Sequence, residues 1–167
     1  LPYVAGHGFN YVDLGPAAAV RERVDAYWRI WEQRLRESGR LNQHVIAPKV
    51  GVLRQLFVAD TDDEAMAVAR PAYADFNHSI LKLWHDHGDH TVDALFDWDT
   101  ATQLETVICG SPARVSERLS ELVEISGCNY VICSFAWGTL PHQQVVKSLQ
   151  LFTQQIMPAF STGSGSD

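Results

Sequence analysis

The stretch that decides the fold is Gly110-Ser111-Pro112-Ala113-Arg114-Val115, followed by Gly127-Cys128-Asn129-Tyr130-Val131-Ile132-Cys133-Ser134-Phe135 and then Ser148-Leu149-Gln150-Leu151-Phe152, which runs to Met157-Pro158. Ser111 is placed to cap a helix whose first position is Pro112, where a proline gives up only an amide that had no partner. Leu119, Leu122, Val123 and Ile125 then recur at helical spacing, and Gly127 stands where a helix closes on a left-handed residue. Tyr130 to Phe135 is a short, nearly all-apolar run with β-branched members, the pattern of a strand buried on both faces of a parallel sheet. An amphipathic helix follows it. These pieces predict βα units.

The same alternation extends toward the N-terminus. Phe9 to Leu14 reads as a short strand stopped by Gly15-Pro16. From Ala17 to about Glu37 the pattern turns helical, with Val20, Val24, Tyr27, Trp28, Trp31 and Leu35 along one face, and Gly39 ends it. The next strand centres on Val52 to Val58, with Pro48 limiting where it can begin. Thr61-Asp62-Asp63-Glu64 is a capping-box sequence, and its acidic first turn suits the helix dipole. That helix is predicted from Asp62 toward Leu83, bent at Pro71. His85 to Glu105 is a long, largely polar segment and reads as a lid, an insertion or a disordered stretch. The order strand, helix, strand, helix, insertion, helix, strand, helix implies parallel strands joined by right-handed crossovers.

Composition narrows the function. With 167 residues, nearly half apolar and a fifth charged, the chain suffices for one globular domain or part of one. The formal charge of −7 argues against a broad nucleic-acid-binding face. No apolar run approaches a membrane span, and no signal-peptide pattern opens the chain, so neither membrane nor nucleic acid is expected as a partner. Cys109, Cys128 and Cys133 form neither an even set nor a metal-type spacing and read as reduced packing thiols of a cytoplasmic protein. The opening residues look like the end of a helix closed by Gly8, as though a preceding strand had been cut away. Residues 161–167 are Ser/Gly-rich and read as a disordered or appended tail, leaving 1–160 as a single partial domain.

With these residues in view, the chain resembles the C-terminal half of the bacterial luciferase-like, flavin-dependent monooxygenases. The resemblance rests on three places. Ala5-Gly6-His7-Gly8-Phe9-Asn10 leads into the strand ending at Leu14-Gly15-Pro16. Phe57-Val58-Ala59-Asp60-Thr61-Asp62-Asp63-Glu64-Ala65 looks like that family's strand before an acidic-capped helix. The terminal pieces quoted above follow in the family's order. The resemblance implies the C-terminal portion of a TIM (β/α)8 barrel, with about three parallel strands and their flanking helices. It further implies an oxidoreductase that uses reduced FMN, supplied by a separate flavin reductase, and O2 on an organic substrate. The early strands and several flavin phosphate contacts would lie outside this chain, which is therefore expected to be catalytically incomplete and to bind flavin poorly by itself.

Flavin chemistry asks the protein mainly for binding, orientation and exclusion of water, so pocket residues matter more than a triad, and no catalytic residue is assigned. The resemblance places an aromatic residue near the flavin ring at Phe76 or its neighbour Tyr73; the alternative is that both are ordinary core aromatics. Trp137 ends a strand and is a candidate pocket wall, or an indole packed beneath its own loop. Gly15 ends another strand at the same rim. Ser111, at a helix N-terminus, could attract phosphate, although capping alone explains it. Two rival readings stand beside this one. The first is a non-catalytic half-barrel that self-associates into a homo-oligomer through exposed strand edges. The second is a metal-dependent enzyme built on His85, His87 and His90 with Asp86, Asp89 and Asp93.

Overall fold

In a computed structural model, which describes residues 1–161, the expected alternation takes the form of four strands and seven α-helices among the described residues. The chain divides into two units, one built from Leu1–Arg54 and Ser120–Cys133, the other from Gln55–Leu119 and the chain from Ser134 onward. No helix of the described residues is long and apolar enough to cross a membrane.

In the first unit, α1 (Pro2–His7) closes on Gly8, whose left-handed backbone has φ 75°. β1 (Tyr11–Asp13) pairs in parallel with β2 (Val50–Val58), Tyr11 opposite Val50 and Asp13 opposite Val52. Between them runs α2 (Ala17–Arg34), with Val20, Val24, Tyr27 and Trp31 buried at helical spacing. Each such side chain contributes roughly 1.5–3 kcal/mol on burial. The helix stops short of the expected Glu37, because the chain turns where the Glu37 amide reaches Arg34 O at 3.0 Å; Leu35, expected on the apolar face, is exposed.

α5 (Pro112–Ser126) ends at Gly127 with φ 65°, as its sequence requires, and leads to β4 (Tyr130–Ser134), which also pairs with β2. Asn129 guides this pairing: its amide donates to Val50 O at 3.0 Å and its Oδ1 accepts from Val50 N at 2.8 Å. Gly51 allows the approach, since a Cβ there would lie 2.0 Å from Tyr130 O. Two expectations need correction. Ile125 is exposed, and the buried stripe of α5 is instead Val115, Leu119, Leu122 and Ser126, spaced 4, 3 and 4 residues apart. Every residue of β4 is half-buried, so the described residues do not cover this strand on both faces.

In the second unit, the C-terminal half of β2 pairs in parallel with β3 (Val107–Gly110), from Gln55 opposite Val107 to Val58 opposite Gly110. α3 (Asp62–Asp86) begins as predicted, with Thr61 Oγ1 accepting from Glu64 N at 3.2 Å, and continues through Pro71. The polar segment expected to be a long connection is instead largely ordered. α3 runs to Asp86, a 3-10 turn covers Asp93–Phe96, α4 covers Trp98–Gln103, and β3 follows. Asp97 caps α4, accepting from Asp99 N at 3.0 Å and Thr100 N at 3.2 Å, while Trp98 and Ala101 turn inward.

The final helix is interrupted. α6 (His142–Leu151) passes through a π turn at Phe152–Ile156 into α7 (Met157–Ser161). Pro158 explains the loosened turn, because its ring and missing N–H disrupt the hydrogen bonding one turn earlier. The segment expected to be a disordered tail, 161–167, lies outside the described residues apart from Ser161, which ends α7.

Candidate functional site

Three of the five residues singled out from the sequence meet in one aromatic cluster. Tyr73 sits on the buried side of α3, and one turn of helix separates it from Phe76, so the two rings share a face at 5.7 Å between centroids. Trp137 follows β4 and meets Tyr73 edge-on at 6.0 Å. Trp98, which the sequence reading missed inside the polar segment, meets the same tyrosine edge-on at 5.5 Å. Small residues permit the convergence: Ala59, Ala65, Ala69, Ala72 and Ala101 pack in the same cluster with Phe57.

The four rings are not equally accessible. Tyr73 is 2% exposed, Trp137 6% and Trp98 8%, whereas Phe76 is only half-buried. The Trp137 indole donates to Leu56 O at 3.4 Å, which ties the loop after β4 to β2. Gly138 makes the turn possible, with φ 55° and a Cβ position 1.9 Å from Ala72 O. Burial, reinforced by the Asp97 charge, pushes the Tyr73 hydroxyl up to about 12. The aromatic group is thus a packed wall with one accessible ring at its margin.

Gly15 belongs to a polar network in the first unit. Its amide donates to Asp13 Oδ1 at 2.7 Å and its carbonyl accepts from the fully buried Arg54 at 2.7 Å. Asp13 also accepts from the Tyr11 hydroxyl at 2.5 Å and from Arg23, once through Nη2 at 3.0 Å and once through a closer Nε contact. Burial alone would raise the Asp13 carboxyl, but the hydrogen bonds from Arg23, Tyr11 and Gly15 outweigh it and bring it to about 2. Every donor turned toward this carboxylate is one that a phosphate would otherwise seek.

Ser111 shows a similar arrangement in the second unit. Its amide donates to Asp62 Oδ1 at 2.7 Å, and its hydroxyl accepts from Arg114 N at the α5 N-terminus at 3.5 Å. A cavity of about 460 Å³ is lined among others by Met66, Glu105, Cys109 and Arg114. A second, of about 360 Å³, lies at the C-terminal end of β2 against Ala59, Glu64, Gln144 and Lys147. Cys109 and Cys133 are free thiols, and burial pushes both up to about 11, so neither is poised as a nucleophile.

The histidine-rich segment separates into two groups. His85, His90 and Asp93 come together, whereas Asp86 pairs with Lys82 and Asp89 turns back onto Thr91. The pairing of His85 with Asp93 has no fixed helical spacing in the sequence, because His85 lies in the last turn of α3 and Asp93 opens the 3-10 turn.

No protein-family model matches the chain. An uncharacterized protein, y4wF, from Sinorhizobium fredii is 29% identical over 140 residues, a span of 83% of this chain and 39% of that protein. The monooxygenase RslO1 from Streptomyces bottropensis superposes over 96% of this chain and 44% of its own, at a TM-score of 0.73 and 14% identity. The oxygenating constituent of the 3,6-diketocamphane monooxygenase of Pseudomonas putida, a type II Baeyer-Villiger enzyme solved with FMN, covers 94% of this chain and 44% of its own, at a TM-score of 0.63 and 20% identity. EDTA monooxygenase from Chelativorans sp. BNC1 covers 98% of this chain and 42% of its own, at a TM-score of 0.60 and 16% identity. The chain thus spans about two fifths of the length of each of these proteins. Parallel strands flanked by helices, in the order found here, give this chain an α/β fold shared with monooxygenases of known structure.

Proposed function

We propose that this chain is the C-terminal part of a (β/α)8 barrel in an FMN-dependent, luciferase-like monooxygenase that oxidises an organic substrate with O2. The observation that carries the reading is the likeness over nearly all of this chain to somewhat under half of three monooxygenases, one of them solved with FMN. Reduced flavin, delivered by a separate reductase, would supply the electrons that activate O2. The protein's part is to hold the ring, orient it and keep water out.

The residues present fit one end of the cofactor better than the other. Phe76 offers an accessible ring for contact with the flavin ring system, while Tyr73, Trp98 and Trp137 stand behind it as positioning residues. Gly15 and Ser111 are the candidates for the phosphate end, yet the amide of each already holds a carboxylate, Asp13 and Asp62 respectively. The phosphate contacts therefore belong mainly to the remainder of the barrel. The test is FMN affinity of the full-length parent, read by flavin fluorescence, with and without Phe76→Ala. A loss of tenfold or more is expected; unchanged affinity in the variant, or no FMN binding by the parent, would overturn the reading.

One observation favours a second reading. Each residue of β4 is half-buried, and Val12 in β1 and Leu14 beyond it are exposed. Apolar strands left open in this way favour pairing with another copy, so a self-associating, non-catalytic half-barrel is the alternative. Light scattering separates the two: a dimer that binds no flavin supports the second, and a monomer at high concentration removes it.

A further inference from the structure

We propose that His85, His90 and Asp93 form a site for one divalent transition-metal ion of the zinc class, which staples the end of α3 to the 3-10 turn that follows. The three side chains come from three places: the last turn of α3, the connection after it, and the first residue of the turn. Their ligand atoms lie within 4.8 Å of one another. Asp93 spans the pair, one carboxylate oxygen 2.7 Å from His85 Nε2 and the other 2.9 Å from His90 Nδ1, with the imidazole centroids 4.5 Å apart.

Two imidazoles and a carboxylate are the donor set that zinc and its neighbours accept, with the remaining position open to water. Zinc–ligand bonds of about 2.0–2.1 Å in a tetrahedron put ligand atoms about 3.4 Å apart. The separations of 2.7 and 2.9 Å, each to a different oxygen of Asp93, need to open by about 0.7 and 0.5 Å, which side-chain rotations supply. Exposure also provides the entry path. The surroundings help: Asp89 accepts from Thr91 N at 2.9 Å and Thr91 Oγ1 at 2.7 Å, holding the loop that carries His90. Asp89, close enough to feel the charges of His90 and Asp93, adds negative charge beside the cluster, whereas Asp86 is paired with Lys82. The residues of the aromatic cluster take no part, so this site stands independently of any flavin chemistry.

The experiment is calorimetric titration of the chain, made without an affinity tag, with Zn²⁺ in a non-chelating buffer. One equivalent should bind saturably. His90→Ala and Asp93→Asn should each weaken binding tenfold or more, while His87→Ala, outside the cluster, leaves it unchanged; far-UV dichroism establishes that each variant is folded. Co²⁺ gives an independent readout on the unaltered chain, with d–d bands expected and no thiolate charge-transfer band. Absence of saturable binding, affinity in His90→Ala and Asp93→Asn unchanged from that of the unaltered chain, or a thiolate band that places the ion on a cysteine would each overturn the proposal.

Discussion

Replacing Asp13 by Asn removes one negative charge from a carboxylate that accepts from Arg23, Tyr11 and the Gly15 amide, and leaves its volume nearly unchanged. The carboxyl is lowered from 3.8 to about 2, which at 1.36 kcal/mol per decade corresponds to about 2.5 kcal/mol of stability. Asp13 is 9% exposed but Arg23 is 40% exposed, so solvent screening trims the figure to about 2 kcal/mol. The sign follows from the direction of the shift. A depressed carboxyl stabilises the fold above its ordinary range, and the contribution fades as pH falls from about 4 toward 2. Urea unfolding of the parent chain and Asp13→Asn should therefore differ by about 2 kcal/mol at pH 7 and by about half that at pH 3. A difference that stays flat between the two pH values, or one below about 0.5 kcal/mol at pH 7, would refute the assignment of the network to an ionised Asp13.

Other perturbations probe side chains outside the Asp13 network. Gly138→Ala sets a side chain against Ala72 O in a left-handed backbone and should cost at least about 2 kcal/mol in thermal or urea unfolding. Trp137→Ala empties the aromatic cluster and should cost about 3–5 kcal/mol, whereas Phe76→Leu, at a half-buried ring, should cost less than about 1.5 kcal/mol. With thiols pushed up to about 11, the half-buried Cys109 and Cys133 should react slowly with iodoacetamide at pH 8 in the folded chain and promptly in urea; rapid labelling of either in the native state would contradict the raised thiols.

The strong periodic signals carried most of the fold. α2, the capped start of α3, Gly127 and the apolar run of β4 all combine a chemical stop or start with a repeating apolar face, and each lies where its residues direct. β3 was not legible because four residues cannot display a period, and its partner, the C-terminal half of β2, is remote in sequence. α4 was hidden by composition: Asp97, Asp99 and Thr100 read as polar loop, although the same residues cap a helix that buries Trp98. The same polar surroundings concealed Trp98 as a buried aromatic. The burial of β4 was overestimated because an all-apolar strand announces that it needs cover without saying which residues supply it. His85 and Asp93, eight residues apart, could meet only once a helix end and a 3-10 turn had been placed.

If the chain is part of a longer barrel as proposed, the direct test is a parallel titration of FMN into this chain and into that longer protein, followed by flavin fluorescence. Saturable binding by the longer protein is expected, and much weaker binding by this chain, whose Gly15 and Ser111 amides are already held by carboxylates. A parent that leaves the flavin signal unchanged across the titration would contradict it.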